Sequence, residues 1–161
     1  MRSISTAFLI LTAVLCASAQ HGTSVTQTLA LEVRPVAVFA VTGDPQPLVI
    51  TTTAAGSEFM SAEDRSTRFT MTTNTTGRRI AVSLDVPMPA GTRLLVRLSN
   101  GTGTSAGIVD ISTALTPVTA VADLQPGLST DQEIAYTFLA DATAEPVAPQ
   151  SRTITFTMTE R

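Results

Sequence analysis

The chain has 161 residues, 43% hydrophobic and 14% charged, with a formal net charge of −3. That length suits one domain and is enough to bury a core without covalent staples. The acidic balance argues against nucleic acid or anionic lipid as partner, since either needs a basic patch, and the single Cys16 rules out an internal disulfide.

Residues 1–19 read as an export signal. Met1-Arg2-Ser3 supplies a short positive end, Ala7 to Leu15 an apolar run broken only by Thr12, and Ala17-Ser18-Ala19 the small residues of a cleavage site. The expected cut falls between Ala19 and Gln20. The apolar run is too short to span a bilayer, which needs roughly 20 residues. Lipidation of Cys16 would want a small residue before it, and Leu15 stands there. The expected mature product is therefore a single domain, residues 20–161, without cysteine. It would work in the extracellular space, at the cell surface or in the periplasm, with no membrane contact after processing. All ten basic residues are Arg, so chemistry that needs a lysine amine, Schiff-base formation included, is absent.

Along the mature chain the apolar residues repeat every two positions. Val25, Leu29, Leu31 and Val33 alternate with Thr26, Thr28, Ala30 and Glu32, which predicts a strand over 24–33. Val36 to Val41 is a more continuous apolar strand, followed by a turn at Gly43-Asp44-Pro45 and a second short strand, Leu48 to Ile50. Gly56 to Asp64 looks irregular. Phe69, Met71 and Thr73 form the next strand, and the turn Asn74 to Gly77 predicts a hairpin between 67–73 and 79–86. Leu94, Val96 and Leu98 alternate with Arg93, Leu95 and Arg97. Asn100 to Gly107 is a glycine-rich loop before the short strand Ile108, Val109, Ile111. Ala114 to Leu124 could hold only a short turn, limited by Pro117. Ile134, Tyr136 and Phe138, then Ile154, Phe156 and Met158, complete the pattern.

No segment has a helical period of useful length. About nine or ten short strands with turns every eight to twelve residues predict an all-β fold, an antiparallel two-sheet β-sandwich, with a closed barrel as the alternative.

The sequence offers several candidate sites, and each has an ordinary explanation. Gly103-Thr104-Ser105-Ala106-Gly107 matches the pattern of a nucleophile elbow. That elbow needs a following helix and a histidine base, whereas strand residues follow Gly107 and the one histidine is His21. His21 could hold copper beside a free amino end, but no second histidine exists to complete a site. Glu63-Asp64 and the Asp131/Glu133 pair could serve a glycosidase, but both sit in or beside predicted loops, where acids are commonly just solvated. Calcium would need six or more oxygens at a recognisable spacing, which is not present. Phe59 is the only aromatic expected at the surface, too little for a sugar platform. Asn74-Thr75-Thr76 and Asn100-Gly101-Thr102 fit the glycosylation acceptor pattern at turns. The chain therefore reads as non-catalytic, with no cofactor and no metal.

Three segments carry a resemblance: Thr28-Leu29-Ala30-Leu31-Glu32-Val33, the apolar strand Val36 to Val41, and Ile154-Thr155-Phe156-Thr157-Met158-Thr159. In order and character they resemble short exported bacterial β-sandwich proteins of the immunoglobulin-like, fimbrial or pilin-subunit type. The chain departs from disulfide-bearing pilins in lacking a mature cysteine, and from covalently polymerised ones in lacking Lys and a sorting signal. The resemblance implies an immunoglobulin-like sandwich that serves as a structural or adhesive subunit of a surface assembly, with itself or other subunits as partners. Leu29, Leu31 and Val33 would mark a strand that pairs either within its own domain or with a neighbour's sheet edge. The alternative is a monomeric binding module for glycan, protein or ion, working through the loops Gly56 to Asp64 and Asn100 to Gly107.

Overall fold

A computed structural model describes residues 25–160. The expected signal at 1–19, its junction at Ala19 and Gln20, Cys16 and His21 all lie outside the described residues. The chain divides into two units, one ending at Glu32 and the other starting at Val33. In the described part of the first unit, residues 25–32 have no regular secondary structure, and Val25, Leu29 and Leu31 are exposed. Over its described residues, 25–33, the strand expected at 24–33 is thus absent. Alternation sorts side chains to two faces, but a strand's backbone bonds must come from a neighbouring strand.

The second unit is all-β, with no helix among the described residues. Its strands are β1 (Ala37–Thr42), β2 (Phe59–Thr73), β3 (Arg78–Leu84), β4 (Thr92–Leu98), β5 (Thr104–Ser105), β6 (Ile108–Asp110), β7 (Val118–Leu124), β8 (Gly127–Asp141) and β9 (Ile154–Glu160). They form two sheets, a five-stranded one in the order β1-β2-β8-β4-β6 and a four-stranded one in the order β5-β7-β3-β9. Every pairing is antiparallel.

β4 shows most simply how the sequence builds these sheets. Leu94, Val96 and Leu98 are buried while Arg93 and Arg97 are exposed, because successive side chains leave a strand on opposite faces. Phe69, Val96 and Ile134 of the first sheet join Ile80, Val82 and Val121 of the second in one fully buried cluster.

β2 and β8, 15 residues each, pair from Phe59↔Asp141 to Thr73↔Gly127. Their register shifts between Asp64 and Thr67, where β2 carries an extra residue. That bulge turns Asp64 and Thr67 to the same buried side although three positions separate them. Ser66 closes it, donating to the Asp64 carboxylate from its amide (3.1 Å) and its hydroxyl (2.9 Å). A second shift, between Phe69 and Met71, falls opposite Asp131, whose φ is +54°.

Several expectations need correction. The turn Asn74 to Gly77 does not close a hairpin, since β2 and β3 lie in different sheets. It carries the chain from one sheet to the other, because β2 already has β1 and β8 on its two sides. Leu48 to Ile50 forms no strand. The stretch expected to be irregular, Gly56 to Asp64, enters β2 at Phe59, and Ala114 to Leu124 yields a full strand, β7. The 100–107 loop contains the two-residue strand β5.

Candidate functional site

Two features of the molecule are suited to meet a partner. The first is the amphipathic segment ahead of β1. Leu29 is 76% exposed, Leu31 85% and Val33 87%, and none belongs to a strand of either sheet. Just after it, Asn74 fastens the chain. Its amide donates to Val36 O (3.2 Å), its Oδ1 accepts from Val36 N (2.7 Å), and its Nδ2 donates to Arg34 O (2.8 Å). Asn74 thereby supplies a neighbouring strand's hydrogen bonds beyond the end of β2. Asn74→Ala removes two of these bonds at an exposed site. We expect a loss of about 1 kcal/mol and a melting temperature lower by roughly 3 °C. An unchanged calorimetric midpoint would show that the fastening contributes nothing.

The second feature is a groove of about 690 Å³ at one end of the sheets. It arises from unequal strand lengths. The second sheet stops where Leu84 pairs with Ile154, while the first continues to Met60, Thr92 and Ala140, which are paired around Ala140. The overhanging face presents Met60, Leu94, Tyr136 and Phe138. Two proline-bearing segments, residues 45–50 and 144–152, form the walls. Leu48, Val49 and Ile50, expected as a strand, are part of one wall. Tyr136 is 3% exposed, and burial pushes its hydroxyl up to about 12. The neighbouring Thr67 hydroxyl opposes that shift and the Asp64 charge adds to it. Tyr136 therefore stays protonated, and able to donate, across the physiological range.

The other sequence candidates do not converge. Ser105 lies in β5, where its hydroxyl donates to Leu98 O (2.7 Å) and accepts from Gly107 N (3.1 Å). That is the bonding of a structural loop serine, and no histidine occurs among the described residues. The acid pairs lie in β2 and β8 rather than in loops. Glu63 pairs with Arg65 at 2.8 Å, Glu133 with Arg97 at 3.3 Å and Asp131 with Arg68 at 3.7 Å, while Asp64 is buried against Ser66. Among the described residues no three His, Cys, Asp or Glu gather as a metal site. Phe59 opens β2 and is 39% exposed, with the Arg93 guanidinium 4.9 Å from its ring centroid. That cation covers one face of the ring and leaves a poor stacking platform for a sugar.

The groove escaped the sequence reading because its walls come from segments about a hundred residues apart. Two proline-punctuated apolar stretches of similar character, Pro45 to Ile50 and Pro146 to Pro149, were the only signal for it. No family model matches the chain, and neither a curated protein nor a solved structure is significantly similar to it.

Proposed function

We propose that the chain is an exported, non-catalytic subunit of a cell-surface or extracellular assembly. It is built as an immunoglobulin-like β-sandwich and joined to its neighbours through the segment centred on Leu29, Leu31 and Val33, which would become a strand on pairing. The exposure of those three side chains carries the reading. Each would gain about 1.5–3 kcal/mol on full burial, and their period of two suits addition to a sheet edge. Such edges exist: β1 and β9 end their sheets with six and seven residues, whereas β5 and β6 have two and three. The core shared by both sheets supports the sandwich architecture.

The test compares residues 20–161 with a chain lacking 20–33, by size exclusion with light scattering and by electron microscopy at rising concentration. The longer chain should form oligomers or filaments. The shorter one should elute as a monomer with the same β-type circular dichroism. Monomers from both, or oligomers from both, would overturn strand donation.

One observation favours a second reading, a monomeric binding module working through loops at one end of the sandwich. That observation is the groove, which is walled by 45–50 and 144–152 and not by the loops expected from the sequence.

A further inference from the structure

We propose that the groove binds an amphiphile with one aliphatic tail and a single anionic headgroup, held by Arg152. This stands apart from the assembly reading and commits the groove to one class of ligand.

A volume of about 690 Å³ lies in the range of small-molecule sites, roughly 300–1,000 Å³. Met60, Met88, Leu94 and Phe138 line it with apolar surface. The two methionines are unbranched and adapt to a flexible chain better than β-branched side chains would. Such a surface suits methylene groups, and the polar Gln150, Ser151 and Arg152 of the lining lie on the 144–152 wall rather than between the methionines.

Arg152 identifies the headgroup. It lines the groove at the end of the wall segment 144–152. Its guanidinium donates only to neutral acceptors: Ser151 O (3.0 Å), Pro87 O (3.4 Å) and Gln150 Oε1. Its Nε is buried and has no hydrogen-bond partner. No carboxylate stands within ion-pair distance of it among the described residues. Glu145 is the one acid on the groove's lining, and it is exposed. A half-buried guanidinium beside an apolar surface, with no carboxylate of its own, attracts an anion that settles on that surface. A guanidinium also holds an oxyanion through more than one N–H, which a neutral headgroup cannot match.

The experiment titrates residues 20–161 with decanoate, below its aggregation concentration, and with decanol, by calorimetry. Decanoate should bind. Arg152→Gln should weaken decanoate by roughly tenfold or more, the size of a lost charge-assisted bond, and leave decanol within about twofold. Met60→Trp, which fills the groove, should weaken both. Amide shifts in NMR spectra of the unaltered chain with decanoate give a readout independent of any variant, and they should cluster in 45–50 and 144–154. The proposal is overturned if decanoate does not bind, if Arg152→Gln affects decanoate and decanol equally, if Met60→Trp changes neither, or if the shifts fall elsewhere.

Discussion

Phe69→Ala should lower the stability of the folded chain by about 3–5 kcal/mol, the usual cost of removing a buried phenylalanine. Phe69 is fully buried in the middle of β2. Its ring centroid stands 5.5 Å from that of Phe39 in β1, and Phe39 stands 6.3 Å from Phe156 in β9. The three rings run from the body of the first sheet, through its edge, to the edge of the second. Truncating Phe69 leaves a cavity and also removes the surface against which the half-buried Phe39 packs. In urea unfolding, the midpoint should fall with little change in slope. Phe59→Ala is the control, because that ring is 39% exposed at the start of the same strand, and it should cost about 1 kcal/mol. Equal losses in the two variants would mean that the aromatic run does not hold the sheets together.

Gly103→Ala should cost about 3 kcal/mol or more, at the upper end for an overpacked site. A Cβ at Gly103 would stand 2.5 Å from the carbonyl oxygen of Ala122 and 2.8 Å from Leu124 Cδ2. The first of these is backbone of β7, so relief would require moving a strand that also pairs with β3 and β5. Gly107, four residues on, separates packing from backbone strain. Its φ is +78°, and a Cβ there meets nothing within 4 Å. Gly107→Ala should therefore cost only the left-handed backbone penalty, about 1–2 kcal/mol. If the two variants lose equal stability, close approach is not what demands glycine at 103. The comparison also explains the nucleophile-elbow pattern: one glycine lets the loop press on β7, the other turns the chain, and Ser105 is fixed between them by two hydrogen bonds.

The all-β character and the facing of individual strands were legible in the chain. In β4 every expected inward residue is buried, and in β3 Ile80, Val82 and Leu84 are likewise buried, whereas Val86, in the stretch expected to be strand, lies beyond β3 and is 50% exposed. Legibility failed where the two-residue rhythm is broken locally. In β2 the extra residue near Arg65 and Ser66 puts Ala62 and Asp64 out of phase with Thr67 and Phe69. A reader of linear alternation therefore loses the first half of that strand. β7 is obscured in a similar way by register shifts against β3. The candidate sites fared differently. The apolar rhythm of Leu29, Leu31 and Val33 was plain, while Arg152 gave no sign of its place, since an arginine among loop residues reads as solvated surface.

Amino-acid order alone determined which side chains point together, because a strand's pleat has a period of two whatever surrounds it. It also determined the places where the chain turns, as the positive φ of Gly43, Gly77, Gly91 and Gly101 attests. Only the tertiary structure decided which strands pair, that Asn74 to Gly77 passes between sheets, that residues 25–33 enter no strand, and that a groove opens where the first sheet outruns the second. Those outcomes depend on hydrogen bonds and contacts between residues far apart in the chain. A local pattern of greasy and polar side chains fits many such partners equally well.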